Sequence, residues 1–194
     1  SCPIKTLPIL IAFDDYKKKP SQKIIDQYKD DGYVNLVFTG RVAPNKKQED
    51  IIAAFYYYKN YINPKSRLII AGSFDKKDIY YNKLKKYVEE LELEDVCFTG
   101  HIPFDEILAY YQIADLLVCM SEHEGFCVPL VEAMYFHVPI IAYDCAAVGE
   151  TLGGSGILLK NKDPRLVAEA INRVIEDDQL KKKIIASEEE RLKY

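Results

Sequence analysis

Residues 34–72 read VNLVFTGRVAPNKKQEDIIAAFYYYKNYINPKSRLIIAG, and this stretch decides the fold class. It opens with a short run of β-branched and aromatic residues, Asn35–Thr39, that ends at Gly40, as is typical of a buried strand. Apolar residues then recur at helical spacing over residues 47–61. A second apolar run, Arg67–Ala71, again ends at a glycine. A strand, a helix and a second strand in this order predict a right-handed βαβ unit with parallel strands.

The same alternation continues along the chain. Further strands are predicted at Val96–Thr99, Leu116–Cys119, Pro139–Ala142 and Ile157–Leu159, and further helices at Gln22–Asp30, Ile79–Leu91, Asp105–Ile113, Val128–Phe136, Arg165–Glu176 and Leu180–Leu192. Pro8–Phe13 is interpreted as a lead-in strand or a linker. The strands are continuously apolar, which is typical of sheets with both faces covered. The pattern predicts an α/β fold: a Rossmann-like, doubly wound parallel sheet of about six strands.

Composition and charge exclude several classes of protein. The chain has 194 residues, of which 48% are hydrophobic and 29% charged, so it can bury a large core. Its 30 acidic residues outnumber 26 basic ones, which argues against a nucleic-acid partner. No apolar stretch approaches the ~18–20 residues of a membrane span, and no signal-peptide pattern is present. Five cysteines without a CxxC pair fit a reducing compartment, so a cytoplasmic location is expected.

Several other patterns are interpreted as structural. The tyrosine runs at 56–58 and 110–111 are interpreted as packing and surface aromatics, because their helical spacing and the acidic net charge disfavour nucleic-acid stacking. Lys181–Lys183 and Glu188–Glu190 are interpreted as the solvated face of a helix. Cys119 lies within an apolar run and is expected to pack as a small hydrophobe.

Candidate functional residues follow the predicted strands, where ligands bind in a doubly wound sheet. Residues 121–132 read SEHEGFCVPLVE, and Pro129 opens a helix whose N-terminal amides predict an anion site. Glu124 lies in the loop before this helix, and Glu132 lies within its first turns. Arg41 and Lys46 follow the first strand and could together neutralise a diphosphate.

Two acids at this spacing also suggest a glycosidase. Along a continuous helix, Glu124 and Glu132 would be about 12 Å apart. A retaining glycosidase needs its carboxyl groups about 5–5.5 Å apart. A loop that folds back could shorten the distance, so this alternative is weakened rather than excluded. Carboxylates that accept hydrogen bonds from sugar and ribose hydroxyls fit the spacing better.

These residues resemble the donor-binding half of retaining GT-B glycosyltransferases of the large group 1 family. The resemblance consists of Arg41 and Lys46 after Gly40, and of Glu124 followed eight residues later by Glu132, the family's E-x7-E motif. Supporting matches are Thr99–Ile102, Ala114-Asp115 and residues 128–134 and 138–142. Agreement extends from about residue 8 to residue 159, most of the chain. The resemblance implies one lobe of a GT-B architecture.

The resemblance also implies a role for each matching residue. Arg41 and Lys46 would bind the diphosphate of a GDP- or UDP-sugar donor, and Glu124 would hold the transferred sugar. These three would form the catalytic set. The donor-binding set would comprise Glu132, Gly125, Phe126, Leu130, Val131, His101 and Ile102. Within it, Glu132 would hold the ribose hydroxyls, the amides of 125–126 and 130–131 would contact sugar and phosphates, and residues 101–102 would flank the base. No metal or other cofactor is expected.

Three positions depart from the family pattern. Lys47, Cys127 and His137 stand where family members usually have glycine. Cys127 would lie where the donor approaches closely, so it could reshape the sugar pocket. A histidine just past a helix can adopt the left-handed conformation, though less comfortably than glycine.

The resemblance also divides the chain. Residues 1–33 would form an interlobe linker and a helix, and residues 34–194 the nucleotide-sugar-binding lobe. On this resemblance, the sequence would lack the N-terminal acceptor lobe of a GT-B enzyme. That lobe would bind most of the acceptor, and peripheral membrane association would arise only through it.

The sequence therefore predicts the donor lobe of a retaining hexosyltransferase of polysaccharide assembly, inactive in isolation. The sequence of residues 121–134 resembles the corresponding segment of mannosyltransferases that use GDP-mannose. A sugar-nucleotide epimerase or phosphorylase of the same two-lobed architecture and a non-catalytic nucleotide-binding module remain alternatives. Neither G-x-G-x-x-G nor G-x-x-x-x-G-K-[ST] occurs, which disfavours dehydrogenases and P-loop NTPases. The absence of Asp-x-Asp disfavours a metal-bridged diphosphate site.

Overall fold

A computed structural model describes residues 11–193 of the chain. Its six strands form a single parallel sheet in the order β3-β2-β1-β4-β5-β6. The strands are β1 (Val34–Thr39), β2 (Ser66–Ala71), β3 (Val96–Gly100), β4 (Leu116–Cys119), β5 (Ile140–Tyr143) and β6 (Ile157–Leu159). The predicted Rossmann-like doubly wound α/β fold is therefore confirmed.

Helices cover the sheet. They are α1 (Gln22–Tyr28), α2 (Gln48–Tyr61), α3 (Ile79–Glu90), α4 (Phe104–Ile113), α5 (Val128–Tyr135), α6 (Val148–Leu152), α7 (Pro164–Glu176) and α8 (Asp178–Arg191). Short 3-10 helices occupy Phe13–Lys17 and Pro44–Lys46. Within the described residues, no helix is long and apolar enough to cross a lipid bilayer.

Of the two interpretations of Pro8–Phe13, a strand or a linker, the structure contradicts the strand for the residues that it describes. Residues 8–10 of the predicted lead-in strand lie outside the described residues. Ile11 and Ala12 are not in a strand, and a 3-10 helix begins at Phe13. The aromatic side chains of this segment pack on α5. The ring of Phe13 stacks on that of Tyr135, with 5.2 Å between centroids.

Alternate strand residues face the two helical layers. Leu36 and Phe38 of β1 belong to a cluster with buried residues of α2, α3 and α7. Val37 between them points to the opposite face and packs with residues of α1 and α4. Because both faces are covered, the strand is apolar at consecutive positions, which is the pattern that the sequence displays.

The structure also corrects the interpretation of the last helix. Glu188 was expected on a solvated face, but its side chain lies in the core and is 0% exposed. It follows the buried Ile184 by four residues, so both occupy the same face of α8. One carboxylate oxygen of Glu188 accepts the backbone N–H of Ile140 at 3.0 Å.

Replacing Ala146 with glycine is expected to stabilise the fold by about 0.5–1 kcal/mol. Ala146 is exposed and has a φ of 49°, in the left-handed region that disfavours side chains with a Cβ atom. Ala170, in the interior of α7, provides the control, since glycine within a helix should destabilise. Urea unfolding of both variants measures the difference. Equal destabilisation by the two substitutions would contradict the expectation.

Candidate functional site

The candidate site lies at the topological switch point of the sheet. Strand β1 pairs with β2 on one side and with β4 on the other, so the connections that leave their carboxyl ends diverge. A doubly wound sheet binds ligands in the crevice at this point. An open cleft of ≈ 260 Å³ occupies it. Four predicted site residues line the cleft: Arg41, His101, Ile102 and Glu132.

A close backbone contact forms one wall of this cleft. A Cβ atom on Gly72 would lie 2.0 Å from the carbonyl oxygen of Gly40, so only glycine fits there. The backbone N–H of Gly40 also donates to the carbonyl of Ala71 at 2.9 Å. The glycines that follow β1 and β2 therefore let the chain approach itself closely beside the cleft.

Two tyrosines hold the carboxylate of Glu132. The hydroxyl of Tyr16 donates to one oxygen and that of Tyr111 to the other, each at 2.7 Å. The Tyr111 oxygen lies 2.6 Å from the Thr39 hydroxyl. Since the single Tyr111 proton goes to Glu132, Thr39 is the donor in this second bond. The chain of hydrogen bonds fixes Glu132 with its oxygens at the edge of the cleft.

Neither tyrosine was identified as a site residue from the sequence. Burial, reinforced by the carboxylate of Glu132, raises the pKa values of both Tyr16 and Tyr111, so each remains a hydrogen-bond donor. The interpretation of residues 110–111 as packing aromatics is therefore incomplete for Tyr111. Its ring stacks on that of Phe136 at 5.3 Å, and its hydroxyl belongs to the site. A contact between residues 116 positions apart, like that of Tyr16 with Glu132, leaves no local pattern.

Lys46 and Glu124 form an ion pair beside the cleft. Their charged atoms are 2.6 Å apart, and their side chains are 22% and 8% exposed. Asn45 ties the two loops together, because its side chain donates to the His123 carbonyl at 3.0 Å and its own carbonyl accepts the N–H of Glu122 at 2.9 Å. The loops after β1 and β4 thus present this pair as one unit.

Arg41 is the exposed cation of the cleft. Its backbone carbonyl accepts the side-chain amide of Gln48 at 3.1 Å, which anchors the main chain. Within residues 11–193, the guanidinium forms no ion pair. A planar fork of donors without an anionic partner is suited to a ligand phosphate.

The beginning of α5 only partly matches the prediction. The Leu130 N–H, predicted to contact phosphate, donates to the Cys127 carbonyl at 3.0 Å and is therefore engaged. Cys127 immediately precedes the helix and has left-handed dihedral angles. Val131 is 9% exposed, and Phe126 accepts a hydrogen bond from Thr151 through its carbonyl. Gly125 is exposed in the loop before them.

The three positions at which the resemblance predicted glycine share one backbone conformation. Lys47, Cys127 and His137 have φ angles of 51°, 63° and 56°. These values lie in the left-handed region that glycine adopts without a steric penalty. The chain therefore keeps the conformation expected of the glycines while carrying side chains at all three positions.

Cys127 also forms a buried cluster next to the cleft. Its Sγ atom lies 3.9 Å from that of Cys119, and a hydrogen bond from the Cys127 thiol lowers the pKa of Cys119 to about 7. Both cysteines and Glu124 line a small cavity of ≈ 10 Å³. Thr39 and Pro129 line this cavity as well as the cleft, so the two adjoin.

Comparisons with known proteins agree with this architecture. A family model described as glycosyl transferases group 1 matches residues 21–191. The uncharacterized glycosyltransferase MJ1069 of Methanocaldococcus jannaschii is 27% identical over 185 residues, which cover 92% of this chain and 46% of that protein. The O-antigen chain mannosyltransferase RfbU of Salmonella typhimurium is 32% identical over 108 residues, 55% of this chain and 30% of that protein.

A solved structure gives the same fold. The crystal structure of Anabaena Alr3699/HepE in complex with UDP-glucose is 26% identical and superposes with a TM-score of 0.77, covering 94% of this chain and 50% of that one. The chain thus spans about half the length of HepE and less than half that of the two curated relatives. Since the family match covers most of the chain and includes every strand, the chain belongs to the glycosyl transferases group 1 family.

Proposed function

We propose that the chain is the donor-binding lobe of a retaining group 1 glycosyltransferase, which transfers a hexose from a nucleotide sugar. The observation that carries the proposal is the cleft at the switch point, where Arg41, His101 and Ile102 face Glu132. A cation and a fixed carboxylate in the same cleft suit a ligand that carries both phosphates and hydroxyls. The UDP-glucose in the HepE crystal structure supports the same ligand class.

Lys46 and Glu124 would remain paired while Lys46 binds the diphosphate and Glu124 binds the transferred sugar. An ammonium group has three donors, and one is used by Glu124 at 2.6 Å. The others can bind phosphate oxygens without breaking the pair. Lys46 would thus bind the diphosphate together with Arg41, while Glu124 would accept hydrogen bonds from the transferred sugar beside it.

Glu132 would hold the ribose. Each of its oxygens accepts one tyrosine proton and keeps a further lone pair for a ribose hydroxyl. Because Tyr16 and Tyr111 fix the carboxylate before the ligand arrives, little side-chain entropy is lost on binding. The base would lie against residues 101–102, and the amides of Gly125, Phe126 and Val131 would complete the contacts.

Retention of the anomeric configuration would follow from a front-face displacement. The acceptor oxygen bonds to the anomeric carbon on the face from which the diphosphate leaves, and the acceptor proton passes to a departing phosphate oxygen. The largest electrostatic requirement is then the negative charge that develops on the diphosphate. Arg41 and Lys46 would stabilise it without a metal ion.

The donor and the rest of the enzyme are part of the proposal. The RfbU similarity favours mannose, which GDP-mannose would supply, and the HepE complex favours UDP-glucose as the other candidate. Residues 1–33 would link this lobe to an acceptor-binding lobe, so this chain alone would bind donor without transferring sugar. The enzyme would work in the cytoplasm, where sugar nucleotides are available.

Calorimetric titration of two alanine variants tests these roles. Glu132→Ala is expected to weaken binding of UDP-glucose or GDP-mannose and of the free diphosphate alike, by about tenfold or ~1.4 kcal/mol, because the ribose contact is common to both ligands. Glu124→Ala is expected to weaken only the sugar nucleotide. His123→Ala in the same loop is the control, since that side chain is exposed and lacks an assigned contact with the donor.

Three results would contradict the proposal. Equal losses for sugar nucleotide and free diphosphate with Glu124→Ala would remove Glu124 from the sugar contact. Failure of UDP-glucose, GDP-mannose, UDP-N-acetylglucosamine and ADP-glucose to bind both this chain and a two-lobed form of the protein would overturn the donor-binding function. Interconversion of a bound sugar nucleotide without an acceptor would favour an epimerase instead.

A further inference from the structure

Three side chains of types that can bind a metal ion lie close together next to the cleft, and none of them is assigned to the donor phosphates. Cys119 ends β4, Cys127 precedes α5, and Glu124 lies in the loop between them. One ligand atom from each lies within 4.8 Å of the others. The cysteines are 3% and 6% exposed, and the Glu124 side chain is 8% exposed. Such a cluster is withdrawn from solvent, unlike an ordinary group of surface acids.

The sulfur–sulfur distance fits a shared metal ion. Zinc–thiolate bonds are about 2.3 Å long, so two sulfurs on one tetrahedral zinc ion are about 3.8 Å apart. The Sγ atoms of Cys119 and Cys127 are 3.9 Å apart. A disulfide would require them to approach to about 2.05 Å. The present arrangement can therefore accept a tetrahedral ion with almost no change in this distance.

The charges also balance. Two thiolates and one carboxylate carry three negative charges, and a divalent ion together with the Lys46 ammonium supplies three positive ones. Lys46 already lies 2.6 Å from Glu124. A buried site with no net charge avoids most of the desolvation penalty of an uncompensated ion. Ser121, whose Oγ is 3.5 Å from the Cys119 sulfur, can support the ligand from outside.

We propose that Cys119, Glu124 and Cys127 bind a soft divalent cation of the Zn²⁺ or Cd²⁺ class. Two thiolates select such ions over Mg²⁺ and Ca²⁺. The ion enters through the wall of Thr39 and Pro129 that the small cavity shares with the cleft. It is a modulator of the site and takes no part in the transfer reaction.

The metal antagonises the donor sugar. A Glu124 carboxylate that ligates metal has fewer lone pairs for sugar hydroxyls, so metal and sugar compete for the same group. This consequence rests on the proposed function. The metal site itself stands on the geometry of the three side chains alone, and the two are tested separately.

Titration of the protein with Cd²⁺ tests the site. Thiolate-to-cadmium charge-transfer absorption in the ultraviolet is expected to saturate at one equivalent per chain. Cys119→Ser and Cys127→Ser are each expected to weaken Cd²⁺ binding by at least about tenfold, because each removes one ligand. Cys97→Ser is the matched control and should titrate like the unchanged protein, since Cys97 lies on β3. Circular dichroism checks that each variant folds.

The site is overturned if the absorption is missing at one equivalent or if both serine variants bind Cd²⁺ as tightly as the control. If a serine variant fails to fold, the alkylation rates of the cysteines are measured on the unchanged protein instead. One equivalent of Cd²⁺ should slow alkylation of Cys119 and Cys127 by at least about tenfold and leave Cys97 unaffected. The site is also overturned if adding Cd²⁺ leaves the alkylation rates of Cys119 and Cys127 unchanged, as it does that of Cys97.

Titration of metal-loaded protein with ligand tests the antagonism. Protein carrying one equivalent of Cd²⁺ and freed of excess ion should bind UDP-glucose or GDP-mannose more weakly than metal-free protein, while affinity for the free diphosphate is unchanged. Equal sugar-nucleotide affinities refute the antagonism and leave the metal site intact. If neither form binds any nucleotide, the proposed function fails, and the Cd²⁺ titration still decides the metal site.

Discussion

Replacing Glu188 with glutamine is expected to stabilise the protein at pH 9 by about 3–5 kcal/mol and to have little effect near pH 4. Burial raises the pKa of the Glu188 carboxyl to about 8. In the unfolded chain the same carboxyl has its ordinary pKa of 4.5. The folded protein therefore holds a proton that the unfolded chain releases between these two pH values.

The direction of the pH dependence follows from that difference. Below about pH 4.5 both states are protonated, and Glu188 imposes no penalty. As the pH rises from there to about 8, the unfolded chain ionises first, so the free energy of unfolding falls. Above that pH the penalty is constant, because both states are ionised. Glutamine has no proton to lose and removes this slope.

The contacts of Glu188 explain why ionisation is costly. One oxygen accepts the Ile140 N–H at 3.0 Å, and the other has no hydrogen-bond partner among residues 11–193. A charge in such surroundings is stabilised by only one backbone dipole. Glutamine retains an acceptor for Ile140 and has nearly the same shape.

Chemical denaturation of both proteins at pH 4, 7 and 9 measures the effect. Glu189→Gln is the matched control, because Glu189 is the next residue of α8 but its side chain is 50% exposed. That substitution should change the free energy of unfolding by less than about 1 kcal/mol. A Glu188→Gln protein whose stability declines with pH as steeply as that of the unchanged protein would show that the carboxyl is already ionised in the fold.

The sheet could be predicted because its signal is local. Each strand is a short run of apolar residues that ends at a turn signal, and β4 and β6 begin and end where the sequence indicated. The 3-10 helix Phe13–Lys17 and α6 were missed. Both have five residues, too few for a periodic pattern, and packing decides their conformation.

The part of the candidate site that follows directly from the strand order could also be predicted from local patterns. Arg41 and Glu132 follow strands β1 and β4, and the topology alone brings them to one cleft. Tyr16 reaches Glu132 from a distant segment, which a pattern of neighbours cannot reveal. The Leu130 amide is engaged because the carbonyl of Cys127, the residue before α5, accepts the first hydrogen bond of the helix. Which amides remain free at a helix start depends on where the helix begins, and a sequence pattern does not fix that position to the residue.

Replacing Lys46 with methionine is expected to lower the free energy of unfolding by about 2–3 kcal/mol and to weaken free UDP or GDP binding at least about tenfold. The methionine fills the space of the lysine stem but leaves Glu124 as a charge that is 8% exposed and without its cation. Loss of one partner of a fully buried pair costs about 3–5 kcal/mol, and the partial exposure of Lys46 reduces this figure.

Lys47 provides a matched control in the adjacent position. It pairs with Glu122 at 3.3 Å, where the two side chains are 30% and 48% exposed. Lys47→Met should therefore cost less than about 1 kcal/mol in stability, as expected for a solvent-exposed pair. Urea unfolding and titration with the free diphosphate, applied to both variants, compare a buried ion pair with an exposed one in the same loop.

The double variant Lys46→Met, Glu124→Gln separates the two roles of the lysine. Removing both charges should restore most of the stability, with a coupling energy of about 2 kcal/mol in the double-mutant cycle, because no buried charge is left unpaired. Diphosphate binding should remain as weak as in Lys46→Met, since the phosphate has lost its cation whichever residue occupies position 124. Recovery of diphosphate binding together with stability would mean that Lys46 acts only by supporting Glu124, and Arg41 would then be left as the cation that meets the phosphates.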